Sequence, residues 1–162
     1  GGDIRVSATV DSLDPLAGTV TLSIAGQSLT VVTDTATRFE DERDGVDPFR
    51  IVDVAAGDYL DIKGYLDSAG DLLATHIERD ELHDVVLQGP VEVPPTGGTS
   101  SSGIIRILGV EFATDGDTQF EDANDDSISG GSFFGSVSDG YLVKLRDEQS
   151  ADGIADAVEF ED

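Results

Sequence analysis

From Ile4 the chain alternates apolar and polar residues, with Ile4, Val6, Ala8 and Val10 interleaved by Arg5, Ser7 and Thr9. A period of two sends successive side chains to opposite faces, so the stretch predicts a half-buried β-strand. After the turn formers of residues 15–18, Val20, Leu22 and Ile24 alternate with threonine and serine. After Ala25-Gly26-Gln27-Ser28 a third strand covers residues 29–33. A longer acidic connection follows, then a hairpin from residues 59–66 and 72–78 around Asp67-Ser68-Ala69-Gly70-Asp71. Only residues 49–55 and 132–137 have the character of a helical turn.

The pattern is written twice. Thr37-Arg38-Phe39-Glu40-Asp41 returns as Thr118-Gln119-Phe120-Glu121-Asp122, and from Phe39 to Phe120 the offset is 81 residues. The same offset carries Thr33-Asp34 onto Thr114-Asp115, Leu29 onto Val110, and Ala74, Ile77 and Glu78 onto Ala155, Val158 and Glu159. With one residue of slippage Gly57-Asp58-Tyr59-Leu60 meets Asp139-Gly140-Tyr141-Leu142, so Phe39, Phe120, Tyr59 and Tyr141 fall at matched positions, which suits core packing. The proline-, glycine- and serine-rich stretch 93–104 resembles a domain linker, but the offset maps its residues 94–99 onto the first hairpin loop of the earlier copy. The boundary therefore belongs at residues 78–84, giving modules 1–81 and 82–162. The second copy predicts strands at 85–93, 104–108, 110–114, 141–146 and 154–160.

Five short strands in a three-plus-two order, with the longest connection between the third and fourth, suit a small closed barrel. The expected fold is all-β, as two tandem five- to six-stranded OB-like barrels or barrel-like sandwiches.

Composition narrows the function classes. The 34 acidic residues against 9 basic give a formal net charge of -25, yet 38% of residues are apolar and spread along the chain, so each module can build a core. Cysteine is absent, which removes disulfides, thiolate metal sites and cysteine nucleophiles. No apolar run approaches a membrane span. Methionine is absent even at position 1, leading to the expectation of a processed product whose signal peptide has been removed. Nucleic acid is excluded as a partner, because phosphate is repelled by such a charge and no tryptophan offers a stacking platform.

These motifs resemble a bacterial secreted family known as domain of unknown function 5666, whose repeats carry a G-x-V opening, a T-T-x-F-E-D-like segment, a G-D-x-V-x-V-x-G strand and a closing A-x-x-I/V-E. The matching residues are Gln88-Gly89-Pro90-Val91, both TxFED segments, the stretch from Gly57-Asp58-Tyr59-Leu60 to Gly64, and Ala74 to Glu78. The chain departs at Asp139-Gly140-Tyr141, where the Gly-Asp order is reversed. The resemblance implies tandem β modules at the cell exterior and implies no activity.

The densest chemistry is the acidic loop after each TxFED. Asp122, Asn124 and Asp126 stand at alternate positions like the start of a calcium loop, with Asp41, Asp44 and Asp47 as the counterpart in the first copy. The EF-hand pattern then fails, with no glycine at its sixth position and Phe133 where its bidentate glutamate belongs. His76 and His83 are the only histidines and read as surface residues. Neither a G-x-S-x-G elbow nor an H-E-x-x-H pair occurs, so no enzyme is expected and no cofactor beyond calcium. The expected role is a structural or interaction protein at the cell surface that forms oligomers or polymers, through strand Ile4, Val6, Ala8 and Val10 and through Phe133 and Phe134. The alternative is a module binding calcium or a surface glycan.

Overall fold

The computed structural model describes residues 3–92 and 101–161. The Gly1-Gly2 pair, Val93 and the loop expected at 94–99 lie outside the described residues. The chain divides into two compact units, Asp3–His83 and Asp84–Asp162.

In the first unit β1 (Ile4–Asp14), β2 (Thr19–Ile24) and β3 (Gln27–Val32) form the antiparallel meander that the alternation predicts. The short β4 (Arg38–Asp41) follows, then a single 3-10 turn at Ile51–Asp53, then β5 (Tyr59–Leu66) and β6 (Leu72–Asp80) as an antiparallel hairpin. β6 returns parallel to β3, and β5 closes on β1. The circuit β1-β2-β3-β6-β5-β1 is a five-stranded barrel of OB type, with β4 added parallel to β6. The inward faces carry Val6, Val20, Leu22, Leu60, Ile62 and Ile77, each at most 1% exposed. Each such burial contributes about 1.5–3 kcal/mol before the entropy of ordering is counted.

The second unit repeats the circuit with β7 (Val85–Pro90), β8 (Gly103–Ile107), β9 (Val110–Thr114), β10 (Gln119–Glu121), β11 (Ser127–Ile128), helix α1 (Gly130–Ser136), β12 (Leu142–Asp147) and β13 (Ala157–Phe160). β7 pairs with β12, β12 with β13, and β13 runs parallel to β10. Among the described residues, isolated bridges join Val91 to Ile107 and Ala113 to Ile154. The strand expected from Ile154 is therefore shorter, starting at Ala157, with Ile154 contributing a single parallel bridge.

Local chemistry shows why both copies fold alike. Asp34 Oδ1 accepts the Ala36 N–H at 2.9 Å and Asp115 Oδ1 accepts the Asp117 N–H at 2.9 Å, forming matched turns. The hydroxyls of Thr37 and Thr118 then donate to the carbonyls of Ala74 and Ala155, both at 2.7 Å, anchoring each TxFED strand to the closing strand.

One sequence alignment is corrected. Gly57 donates to Val10 O at 2.8 Å, and its counterpart is Gly140, which donates to Val91 O at 2.8 Å; both glycines adopt positive φ, 91° and 89°. The offset here is 83, so Asp58 matches Tyr141 and Tyr59 matches Leu142. Tyr59 is 6% exposed and Tyr141 48%, so the two tyrosines are not equivalent.

Candidate functional site

Each TxFED strand lies parallel to the closing strand, pairing Phe39 with Ile77, Glu40 with Glu78 and Asp41 with Arg79. Alternation then gives it two chemically distinct faces. Phe39 and Asp41 share the side of Ile77 and Arg79, and Glu40 and Glu78 share the other.

On the inner side of the first unit Arg79 is clamped between two carboxylates. Its Nε and Nη2 donate to Asp41 at 3.0 and 2.6 Å, its Nη1 donates to Asp58 Oδ2 at 3.1 Å, and its guanidinium lies 4.6 Å from the centre of the Phe49 ring. Asp41 also accepts the N–H groups of Arg43, Asp44 and Val46, which winds the acidic loop around its carboxylate. Arg43 donates to Asp58 at 3.0 Å and to Asp44 at 2.8 Å. The hydrogen bonds from Arg79 hold Asp41 far below the usual carboxylate range. Burial pushes Asp58 up, but the Ala55 N–H, Arg79 and Arg43 outweigh it and leave its pKa lowered. Groups so firmly ionised and mutually bonded hold a structure together and have no proton to exchange near neutrality.

The second unit keeps the position and changes the chemistry. Arg79 is replaced at the same register by Phe160, and Asp58 by Tyr141. Phe133 stacks on Phe160 at 4.7 Å and contacts Phe120 at 5.3 Å, while Tyr141 meets Phe160 at 6.0 Å. Phe133 does the packing that Phe49 does against Phe39, at 6.3 Å, in the first unit. An aromatic cluster thus stands where the ion cluster stood.

The assembly residues expected from sequence are core residues. Ile4, Val6, Ala8 and Val10 are at most 4% exposed, and Phe133 is fully buried. Phe134 is half-buried against Phe120 and Phe133, packed so closely over Gly103 that a Cβ there would meet its ring at 2.5 Å. β1 is laddered to β5 from Ile4 to Thr9, so donating that strand to a neighbour would open its own barrel.

The metal residues expected from sequence are likewise engaged locally. Asp122 Oδ1 accepts the N–H groups of Asn124 and Asp126 at 2.9 and 3.0 Å, so the alternate spacing encodes a capped loop. Asp41 is bound to Arg79 and Asp44 to Arg43, while Asp47 is exposed ahead of Pro48. Side-chain ligand atoms converge instead on the outer face, within 4.8 Å of one another, as Glu40, His76 and Glu78 in the first unit and Glu121, Asp125 and Glu159 in the second. His76 Nε2 lies 3.4 Å from Glu40, and Lys144 reaches Glu159 at 3.5 Å. Burial, then the neighbouring Glu159, Asp125 and Asp122, raise the pKa of Glu121; burial, then Asp80 and Asp61, raise that of Glu78. Each glutamate pair recurs at the 81-residue offset, a signal present in the sequence. Recognising that its members touch requires the parallel pairing of β4 with β6 and of β10 with β13.

No helix among the described residues is long and apolar enough to cross a membrane. No curated protein matches the chain. Among solved structures, a deletion mutant of the single-stranded DNA binding protein from Thermus aquaticus is similar at a TM-score of 0.32 and 10% identity, over 98% of this chain and 90% of that one. A likeness so distant bears on no functional question. The repeated TxFED strand, its threonine anchor and most of its closing strand fall within two tandem matches to one family model, residues 7–78 and 89–159, and the chain belongs to that family, Domain of unknown function (DUF5666).

Proposed function

We infer that the protein is a non-enzymatic structural or interaction protein of the bacterial cell exterior, working as a self-assembled polymer or surface layer. What the two units share carries this reading. The turn, the threonine anchor and the barrel circuit are duplicated, whereas the buried polar chemistry is not, since Arg79 and Asp58 give way to Phe160 and Tyr141. A chain that duplicates architecture and lets its buried polar cluster diverge is using the architecture. Contacts would come from exposed loop residues such as Leu16, 101% exposed, and Val52, 67% exposed. A net charge of -25 opposes association, and screening shortens that repulsion from about 10 Å at 0.1 M salt to about 3 Å at 1 M. Light scattering is therefore expected to grow with salt and to fall in a Leu16→Asp variant. A monomer at every salt concentration would end the assembly reading.

A second reading, calcium binding, is favoured by the second unit's outer face, where carboxylate oxygens of Glu121, Asp125 and Glu159 lie within 4.8 Å of one another; the matching pair Glu40 and Glu78 has His76 beside it, a nitrogen donor that calcium does not favour. Calcium is expected to release heat in calorimetry and raise the melting temperature, and Glu159→Gln to weaken both effects. Absence of heat and of any melting shift would leave these glutamates as solvated surface.

A further inference from the structure

Beyond the assembly reading, and independent of it, we propose that the outer face of β1–β3 in the first unit binds a neutral, hydroxyl-rich polysaccharide. Strand register arranges that face in three rows: Thr9, Ser23 and Ser28; then Ser12, Thr21 and Thr30; then Asp14, Thr19 and Val32. Seven of these nine positions carry a hydroxyl, and Thr21 Oγ1 and Thr30 Oγ1 lie 3.3 Å apart across the strands. Two carboxylates stand on this side: Asp14 is engaged in its own turn, accepting the N–H groups of Leu16 and Ala17 at 3.1 and 3.2 Å, and Asp11 is exposed at the bulge between Val10 and Ser12. A sheet face so rich in hydroxyls on a chain of net charge -25 needs a reason. The described residues of the second unit do not repeat it. There the matching hairpin presents Ile104, Arg106, Glu111 and Ala113, with Arg106 and Glu111 3.8 Å apart.

Each hydroxyl offers one donor and two acceptors, the same inventory as a sugar hydroxyl. Strands about 4.8 Å apart, with same-face residues about 6.8 Å apart along each, set these groups in a grid on the scale of a saccharide ring. Hydrogen bonds can be exchanged there without stripping water from a charge. The third row continues across the barrel through Val32 and Leu73 to Tyr65, which is 48% exposed and offers an amphipathic ring on which the C–H face of a sugar can rest. The wholly exposed Leu16 sits in the hairpin turn that caps the same row. Barrels of this type commonly use this face and the adjoining loops for oligosaccharides or oligonucleotides. None of the nine positions carries a cation, and the acidic remainder repels polyanions, so the neutral glycan is the occupant that fits.

Native electrophoresis of the whole chain through gels containing mixed-linkage β-glucan, dextran, mannan or the anionic alginate tests this. At least one neutral polysaccharide is expected to retard the protein and alginate to leave it unretarded. Thr21→Glu with Thr30→Glu should weaken the interaction by about tenfold or more. Tyr65→Ala, at an exposed position, should weaken it measurably and serves if the double variant does not fold by circular dichroism. Arg106→Ala with Glu111→Ala should leave it unchanged. Retardation by none of the three neutral polysaccharides, or by alginate as strongly as by them, overturns the proposal; so does retardation that the first-unit variants leave intact. A monomer that binds the neutral polysaccharide would refute assembly while leaving this inference standing.

Discussion

Replacing Arg79 by alanine is expected to destabilise the first unit by about 3–5 kcal/mol, the cost of removing one partner from a buried ion cluster. The regime is set by burial: the Arg79 side chain is 7% exposed, and those of Asp41 and Asp58 are 0% and 8% exposed. Without the guanidinium, both carboxylates keep their desolvation cost and face each other, and the Phe49 ring loses the cation resting on it. Arg79→Lys should recover only part of the loss, because one ammonium cannot reproduce the two-pronged contact with Asp41 together with the bond to Asp58. The acid limb follows from the same residues. Asp41 and Asp58 both have lowered pKa values in the folded state. Their contribution is complete above the unfolded value near 3.8 and is lost as pH falls below it. Urea denaturation with hydrogen exchange resolved to residues 3–83 measures both effects. A loss under about 1 kcal/mol would place the cluster in the class of exposed ion pairs and refute the argument.

Asp147→Asn is expected to act in the opposite direction, stabilising the second unit by on the order of 2–3 kcal/mol at pH 7. Asp147 is 1% exposed at the end of β12. Burial, reinforced by Asp152 and Asp156 and only partly offset by the Gly153 N–H at 3.0 Å, raises its pKa to about 6. A carboxyl whose folded pKa lies above its ordinary 3.8 keeps its proton longer in the folded state. Its penalty is therefore absent below about pH 4, grows between 4 and 6, and is complete above 6. Asparagine retains an oxygen for the Gly153 N–H and carries no charge. Wild type and variant should unfold alike at pH 4 and differ at pH 7, and equal stability at both pH values would show that Asp147 ionises without cost. Together the two residues give the units opposite responses, the first weakening in acid and the second weakening toward neutrality.

The alternation of Ile4 to Val10, the turn formers after each strand and the return of TxFED at an offset of 81 were enough to read tandem β modules from the sequence. Strand parity and turn chemistry are local, and a duplicated local pattern yields a duplicated barrel. Function was far less legible. Alternate acidic residues at Asp122, Asn124 and Asp126 suggest a metal loop, yet Asp122 caps its own backbone. The carboxylates that do converge, Glu40 with Glu78 and Glu121 with Glu159, sit 38 residues apart and meet only through a parallel strand pairing. The apolar alternation of β1 marks it equally well as core or as a strand for a neighbour, and barrel closure onto β5 decided for core. A shift of the repeat offset from 81 to 83 brought Tyr141 into contact with Phe160 where Asp58 contacts Arg79. By itself the sequence determined what depends on neighbours along the chain: strands, turns and their duplication. Only the tertiary structure decided which charges are paired, which aromatics are buried and which face gathers hydroxyls, because those properties depend on residues brought together by closure of each barrel.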